Sequence, residues 1–179
     1  SEMRFVDDDG EDVPSGTDGE ICTRGPELFM GYLDPALHDS AFLPGGWYRT
    51  GDIGRMDAEG YLLITDRKKD IIIRGGENIS AVEVEAAIYS HPAVAEASVF
   101  GLPDERLGEI VGAVVHPKAG EKLEGEAIIQ FVARDLAAFK VPARVWIMDE
   151  PLPKLGSGKI DKVSLRKHFR DVHQGRAAG

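Results

Sequence analysis

The stretch Asp66-Arg67-Lys68-Lys69-Asp70-Ile71-Ile72-Ile73-Arg74-Gly75-Gly76-Glu77-Asn78 decides how the chain is organised. Its charged first part cannot be buried cheaply as an unbroken run, which predicts a solvated connector between two packed bodies. The three isoleucines are β-branched and predict a short strand. The glycine pair then allows the backbone to turn sharply or to approach a ligand closely. We therefore predict a domain boundary here, with residues 1–68 in one domain and 69–179 in the other.

The composition limits the classes of protein to which the chain can belong. It has 179 residues, of which 42% are hydrophobic, enough for one ordinary domain or two small ones. Mean hydropathy is −0.20, and no apolar run approaches the roughly 18 residues that a membrane-spanning helix needs. We expect no membrane span. Cys22 is the only cysteine, which excludes an internal disulfide and favours a reducing, cytoplasmic location.

Charge is unevenly distributed along the chain. The net charge of −10 disfavours nonspecific binding to nucleic acid. Residues 140–179 nevertheless hold nine Lys/Arg against four Asp/Glu, so this end carries +5 and the first 139 residues carry −15. The basic end is typical either of a solvated helix face or of a surface that meets phosphates. The five histidines are dispersed without metal-ligand spacing, and we predict no metal site.

The pattern of apolar residues predicts an α+β protein with a small β-rich subdomain followed by a compact α/β lid domain. In the first part, Asp/Gly/Pro/Ser turns separate short strands, and Asp7-Asp8-Asp9-Gly10 is interpreted as a hairpin turn rather than a calcium loop. The second part alternates between the two element types, with about three strands packed with helices. The predicted strands are 3–6, 19–23, 53–57, 61–65, 71–73, 94–102, 109–116 and 143–148, and the predicted helices are 34–42, 80–90, 125–139 and 162–170.

Two segments contain residues suited to binding a nucleotide. In Gly46-Trp47-Tyr48-Arg49-Thr50-Gly51-Asp52, the carboxylate of Asp52 follows a glycine in a predicted tight turn and can accept hydrogen bonds from the two vicinal hydroxyls of a sugar. The alternative is an aspartate that only stabilises its turn. In the connector, Arg67 offers a planar fork for ribose or phosphate oxygens, or else a surface salt bridge.

The third segment is Pro153-Lys154-Leu155-Gly156-Ser157-Gly158-Lys159-Ile160. A phosphate-binding P-loop needs glycine where this chain has Pro153 and Ser or Thr where it has Ile160, so that interpretation fails. What remains is Lys159 on a flexible glycine loop, from which it can bring a point charge to a phosphate or a reacting carboxylate.

The order and spacing of the three segments resemble the C-terminal end of the AMP-forming acyl- and aryl-CoA synthetases. That superfamily also contains firefly luciferase and peptide-synthetase adenylation domains. The resemblance runs from about Val6 to Phe169, and the connector Ile-Ile-Ile-Arg-Gly-Gly-Glu-Asn is most similar to that of fatty-acid and related carboxylate–CoA ligases.

The resemblance implies specific roles. Asp52 and Arg67 would contact the nucleotide, Lys69 would be the hinge between two half-reactions, and Lys159 would reach the carboxylate and α-phosphate during adenylation. The implied CoA-binding residues are Gly75, Gly76, Lys140 and Arg144. The implied substrates and cofactors are a carboxylate, ATP (released as AMP), CoA and Mg²⁺.

Family enzymes are some three times longer, and their larger N-terminal part carries the phosphate loop, the carboxylate pocket and the magnesium-binding glutamate. We therefore expect this chain to be a fragment that is inactive alone. Two alternatives remain open: a non-catalytic binding domain that kept the fold, and an adenylating enzyme that loads a carrier protein instead of CoA.

Overall fold

A computed structural model describes residues 1–28, 31 and 33–176. The chain divides into two compact units, residues 1–69 and residues 70–179.

The first unit is a five-stranded antiparallel sheet with one short helix. Its elements are β1 (Glu2–Val6), β2 (Gly19–Arg24), α1 (Pro35–Ala41), β3 (Phe42–Leu43), β4 (Trp47–Met56) and β5 (Leu62–Arg67). The strands lie in the order β1-β2-β4-β3, and β5 also pairs with β4. Both predicted strand pairs are confirmed, although β4 begins at Trp47, six residues earlier than expected.

Local hydrogen bonds explain where these elements begin and turn. Asp34 is the N-cap of α1 and accepts a hydrogen bond from the Ala36 amide at 3.0 Å, with Pro35 at the first helical position. The Asp7–Gly10 segment is a turn, as predicted: the Asp7 carboxylate accepts from the amides of Asp9 and Glu11, both at 3.0 Å.

Among the described residues, no cluster of three or more His, Cys, Asp or Glu side chains is arranged to hold a metal ion.

The core of the first unit is small. Val6, Cys22 and Trp47 form its buried cluster, with Leu43 packed against them. Burial, with the nearby Glu20 carboxylate, raises the pKa of the Cys22 thiol. A cluster of this size buries little apolar surface and supports little independent stability. Ion pairs therefore contribute part of the stability of this unit.

The second unit combines a five-stranded sheet with three helices. Its elements are β6 (Ile71–Arg74), β7 (Glu77–Ser80), α2 (Ala81–Tyr89), β8 (Val94–Asp104), β9 (Gly108–Pro117), α3 (Gly125–Val132), β10 (Arg144–Ile147) and α4 (Lys162–His173). The strand order is β10-β9-β6-β7, with β8 paired to β9. Among the strand pairs of the described residues in this unit, only β10–β9 is parallel. None of the described helices is long and apolar enough to cross a membrane.

The sheet of the second unit is buried on both faces. Val111, Ala113 and Val115 of β9 join the cluster that includes residues of α2 and α3. Val114, between them in sequence, joins the opposite cluster, in which Phe169 of α4 is also buried. Because side chains of a strand alternate between faces, helices on both sides explain why β8 and β9 are almost continuously apolar.

The α+β fold class is confirmed, with two differences in detail. The sheet of the second unit has five strands rather than about three, because the polar segment Glu77–Ser80 pairs with β6. The helix predicted over 125–139 ends at Val132: the amides of Arg134 and Asp135 bond three residues back, and a short 3₁₀ turn follows at Ala138–Lys140. Phe139 and Val141 then pack against the core, so tertiary contacts override the helical periodicity.

Candidate functional site

Asp52 and Arg67 lie side by side in the first unit. They are a register pair between β4 and β5, and Nε of Arg67 donates to Oδ1 of Asp52 at 2.7 Å. The expected tight turn before Asp52 is instead a β-bulge inside β4. Cys22 of β2 pairs with Arg49 of β4, and Glu20 of β2 pairs with Ile53 of β4. A step of two residues along β2 therefore matches a step of four along β4. A bulge re-aims side chains within a strand, which is how Asp52 comes to face Arg67.

Thr50 and Gly51 build the bulge. Gly51 has φ of +75°, a left-handed conformation that glycine adopts without strain. The Thr50 hydroxyl donates to the Ile21 carbonyl at 2.8 Å and accepts from the Asp52 amide at 3.1 Å. The backbone around Asp52 is therefore fixed by its own strand and by β2.

An open groove of about 410 Å³ lies at this place, lined by Thr50, Gly51, Arg67, Lys68 and Lys69. It thus combines one hydroxyl, a glycine and three cationic side chains. This chemistry suits an anionic ligand that also carries hydroxyl groups. Lys69 lies in the 3₁₀ turn Lys68–Asp70 and is the last residue of the first unit; its role as a hinge stays a prediction.

Lys68 is anchored by carboxylates of the first unit. Its Nζ lies 3.0 Å from Oε2 of Glu20 and 2.9 Å from Oδ1 of Asp8. The Glu20 side chain is only 5% exposed and also accepts two hydrogen bonds from Arg49, at 2.6 and 2.9 Å. The end of β5, including its Arg67, is therefore tied to β2 and β4 by charge-assisted hydrogen bonds.

The direction of the pKa shifts agrees with this arrangement. Burial by itself raises the pKa of Glu20, but hydrogen bonds from Arg49 and Lys68 outweigh it and leave the pKa below its ordinary value. Burial by itself lowers the pKa of Lys68. The bonds to Asp8 and Glu20 outweigh burial and leave this pKa above its ordinary value. All of these groups are thus charged at neutral pH.

In the second unit, Lys159 lies on an ordered loop. The Leu155 amide donates to the Lys159 carbonyl at 2.8 Å, and the Gly158 amide donates to the Leu155 carbonyl at 2.9 Å. Gly158 has φ of +83°, which closes this turn at little steric cost. The Lys159 side chain is exposed, and its ammonium group makes no ion pair with any described residue.

The other lysine of this loop is in a different situation. Nζ of Lys154 contacts the Glu96 carboxylate and also donates to the Leu152 carbonyl at 2.8 Å. Of the two lysines, only Lys159 presents an uncompensated positive charge to solvent. The geometry therefore agrees with the choice of Lys159 as the mobile cation, although its catalytic role stays a prediction.

Gly75 and Gly76 form the two-residue turn between β6 and β7. Arg74 and Glu77 are the register pair that closes it, and the glycines have φ of +56° and +86°. Positive φ at both central residues is the type I′ geometry favoured in tight hairpins. The Gly75 amide also donates to the Leu107 carbonyl at 2.8 Å. The sequence left open a turn or a passage for a ligand, and the turn is present.

Lys140 and Arg144 have different surroundings. Lys140 Nζ binds both carboxylate oxygens of Glu83, at 2.8 and 2.9 Å, so its charge is compensated. At the start of α2, the Ser80 hydroxyl accepts from the Glu83 amide at 3.1 Å, while the Glu83 carboxylate pairs with Lys140. Arg144, the first residue of β10, is exposed.

A segment of the second unit matches a known protein family. Residues 83–159 match the family described as the AMP-binding enzyme C-terminal domain. Residues 83–159 are therefore similar to the C-terminal domain of AMP-binding enzymes. The first residue in the match is Glu83 of α2 and the last is Lys159.

The relatives that match nearly the whole chain include CoA ligases and an amide bond synthetase. The medium-chain fatty-acid–CoA ligase of Escherichia coli is 47% identical over 169 residues, which are 93% of this chain and 30% of that protein. ATP-bound MatB from Rhodopseudomonas palustris superposes with a TM-score of 0.88 at 35% identity, over 96% of this chain and 34% of that one. The amide bond synthetase McbA from Marinactinospora thermotolerans gives 0.81 at 38% identity, over 94% and 34%.

The chain thus spans about a third of the length of the relatives that it matches. The match to these relatives covers residues of both units.

Several charged residues escaped the sequence analysis. Glu20 and Glu96 each lie between small or apolar residues, in Gly19-Glu20-Ile21-Cys22 and Val94-Ala95-Glu96-Ala97, which is the only signal that could have marked them. Their partners are 48 and 58 residues away in sequence, at Lys68 and Lys154. No local pattern predicts contacts at such separations.

Proposed function

We propose that this chain functions as part of a longer ATP-dependent, AMP-forming ligase that joins a carboxylic acid, of the fatty or a related class, to CoA. The observation that carries the proposal is Lys159: an exposed, uncompensated cation on an ordered loop, at the end of the segment that matches the AMP-binding enzyme C-terminal domain. The chain alone is expected to be inactive, because it spans about a third of its relatives.

The proposed reaction has two steps. In the first, a carboxylate oxygen attacks the α-phosphorus of ATP and pyrophosphate leaves, so negative charge builds on the phosphorus. Lys159 supplies a positive charge there, and one such group is typically worth about 10²–10³ in rate. In the second, a thiol attacks the acyl carbon and AMP leaves with the electron pair of the broken bond.

The groove of the first unit is the proposed site for the adenosine moiety. Asp52 accepts hydrogen bonds from the ribose hydroxyls, and Arg67 holds Asp52 while contacting the same nucleotide. A carboxylate already oriented by a 2.7 Å hydrogen bond loses little freedom when the nucleotide binds. Mg²⁺ would be held by residues outside this chain.

Lys69 is the proposed pivot between the two steps. After adenylation, rotation about it would withdraw Lys159 and bring the Gly75-Gly76 hairpin and the basic residues Lys140 and Arg144 toward CoA. A thiol could then occupy the place that the lysine leaves. The Lys140–Glu83 ion pair would have to open for Lys140 to meet a phosphate.

The acceptor separates this proposal from its nearest alternative. McbA is an amide bond synthetase by name, so a relative with this fold need not use CoA. An enzyme that loads a carrier protein would share the first step and differ only in the second. A non-catalytic binding domain would perform neither.

The full-length protein tests the proposal directly. Incubation with ATP and a panel of carboxylic acids should release AMP and pyrophosphate only when an accepted acid is present, and adding CoA should yield a thioester. Formation of ADP, or no acid-dependent AMP, would overturn the proposal. An acyl-adenylate that accumulates with CoA but is discharged by another thiol or amine would leave adenylation standing and replace the acceptor.

A further inference from the structure

The loop that carries Lys159 lies between Leu152 and Ile160, and both of these residues contact the same apolar cluster of the second unit. Leu152 is 1% exposed and lies in the cluster with Phe100 and Phe169, against which Ile160 also packs. Both ends of the loop are therefore fixed by apolar contacts. Residues 153–159 between them are exposed, and backbone hydrogen bonds restrain them.

Glu96 of β8 adds a polar restraint at the start of this loop. One carboxylate oxygen accepts from the Leu152 amide at 2.7 Å, and the other contacts Nζ of Lys154. Nζ of Lys154 donates in turn to the Leu152 carbonyl at 2.8 Å. The three groups close a ring, which we call the Glu96 clamp, between the central part of the unit and the first residues of the loop.

The clamp is connected to Lys159 through the backbone. Lys154 pairs with Ile160 in an isolated antiparallel bridge, and the Leu155 amide donates to the Lys159 carbonyl at 2.8 Å. On the outgoing side, the Asp161 amide donates to the Pro153 carbonyl at 2.8 Å. Restraining Lys154 therefore also restrains the next residue, Leu155, whose amide holds the carbonyl of Lys159.

The electrostatics favour a permanently charged clamp. Burial of Glu96 acts to raise its pKa, but the bonds from Lys154 and the Leu152 amide outweigh burial and leave the pKa low. The Glu96 and Lys154 side chains are 23% and 34% exposed. A pair this accessible adds little to stability, so its main effect is on the geometry of the loop.

We propose that Glu96, acting through Lys154, is a positioning residue that orients the Lys159 loop for the adenylation step. The inference rests on the proposed role of Lys159. A misplacement of about 1 Å in a reacting group can cost on the order of 10²-fold in rate, whereas the same loosening changes folding stability little. The clamp also compensates the charge of Lys154, so that Lys159 is the cation that this loop delivers.

Two substitutions in the full-length protein separate the charge from the fold. Glu96→Gln keeps an oxygen that accepts from the Leu152 amide but removes the charge that holds Lys154. Lys154→Met keeps the apolar stem and removes the ammonium, and Lys154→Arg restores a cation with a fork suited to a carboxylate. Glu126→Gln, on the exposed face of α3, is the control for loss of one carboxylate.

The two half-reactions are measured separately: carboxylate-dependent pyrophosphate exchange, and thioester formation from preformed acyl-adenylate. We expect Glu96→Gln and Lys154→Met to lower kcat of adenylation by about tenfold or more, with unchanged KM for ATP and unchanged thioester formation. Lys154→Arg should keep most of the adenylation rate. If Glu96 and Lys154 only stabilised the fold, both half-reactions would slow in proportion to the loss of Tm, and Lys154→Arg would not restore adenylation.

Lys159→Ala in the same assays keeps the two hypotheses distinguishable. If Lys159→Ala abolishes adenylation while Glu96→Gln and Lys154→Met leave it unchanged, the positioning role is wrong and the proposed function stands. If Lys159→Ala itself leaves adenylation unchanged, the proposed role of Lys159 is wrong. Equal loss of both half-reactions in Glu96→Gln would also overturn the positioning role.

Discussion

Arg67 and Asp52 are joined by a 2.7 Å hydrogen bond across two neighbouring strands, and a two-residue bulge in β4 aims Asp52 at that partner. Arg67 lines a groove that also contains Lys68 and Lys69, and Asp52 directly follows Gly51, another residue of the lining. A carboxylate beside a groove with cationic side chains is suited to a nucleotide, whose hydroxyls donate hydrogen bonds and whose phosphates are anionic.

The first prediction concerns this pair. Asp52→Asn in the full-length protein should raise KM for ATP by about ten- to a hundredfold, because hydrogen bonds to a charged group are worth about 1.5–3 kcal/mol. Steady-state kinetics of adenylation measures it. Asp18→Asn removes the carboxylate of a comparable exposed pair, with Arg55 at 2.8 Å, and should leave KM unchanged. Equal changes in the two variants would contradict the nucleotide role of Asp52.

The second prediction concerns the pivot. Lys69→Pro restricts the backbone at the last residue of the first unit, and should slow thioester formation while sparing adenylation. Stopped-flow measurement of each half-reaction is the test. Lys69→Ala keeps backbone freedom and should retain thioester formation; because it also removes a cation of the groove, adenylation is compared at saturating ATP. If Lys69→Ala impairs thioester formation as much as Lys69→Pro, the side chain and not the backbone is responsible.

The third prediction uses the Gly75-Gly76 turn. Asn-Gly is a favoured type I′ sequence, so Gly75→Asn should change the free energy of unfolding by no more than about 1 kcal/mol. Its side chain starts 3.1 Å from Leu107, which must yield slightly. We expect KM for CoA to rise severalfold with adenylation unchanged, as the added side chain narrows the proposed passage.

Gly16→Asn is the matched control for that variant. Gly16 has φ of +78°, and a Cβ there would meet no atom within 4 Å. It should leave KM for CoA as it is. A Gly75→Asn protein with normal CoA kinetics would show that the hairpin is only a turn.

The fourth prediction concerns stability. Glu20→Gln should lower the free energy of unfolding by about 2–3 kcal/mol at neutral pH, because Arg49 and Lys68 lose the buried carboxylate that compensates them. Denaturant unfolding of the full-length protein measures this. Glu59→Gln, an exposed turn residue, is the control.

The dependence on pH follows from the lowered pKa of Glu20. Its ordinary value is 4.5; above that value the folded-state bonds stabilise the protein fully, and the contribution is lost as the pH falls through the lower folded-state pKa. The difference in stability between wild type and Glu20→Gln should therefore shrink below about pH 4.5. A difference that stays constant into the acid range would contradict the charged network.

Features that depend on local chemistry could be predicted from the sequence. The Ile71–Ile73 strand, the α1 cap at Asp34 and the boundaries of β8 and β9 follow from β-branching, capping and apolar runs. Glu77–Ser80 is polar and reads as a loop; it becomes β7 only because a two-glycine turn folds it back on β6. The bulge around Gly51 likewise depends on the neighbouring strand.

For the candidate site, the sequence identified which residue types occur in the right order, and the resemblance assigned their roles. It did not distinguish a compensated cation from an uncompensated one. Lys140 and Lys154 are held by Glu83 and Glu96, which precede them by 57 and 58 residues. Such pairings arise from the topology of the sheet and not from spacing along the chain.

The central claim is that Lys159 supplies the positive charge for adenylation and is not needed for the second step. The measurement is the rate of each half-reaction in full-length Lys159→Ala, with exposed Lys122→Ala as the control. The account predicts that adenylation falls by about 10²–10³, while transfer of preformed adenylate to CoA stays close to the wild-type rate. Adenylation at the wild-type rate, or an equal loss in both half-reactions, would contradict it.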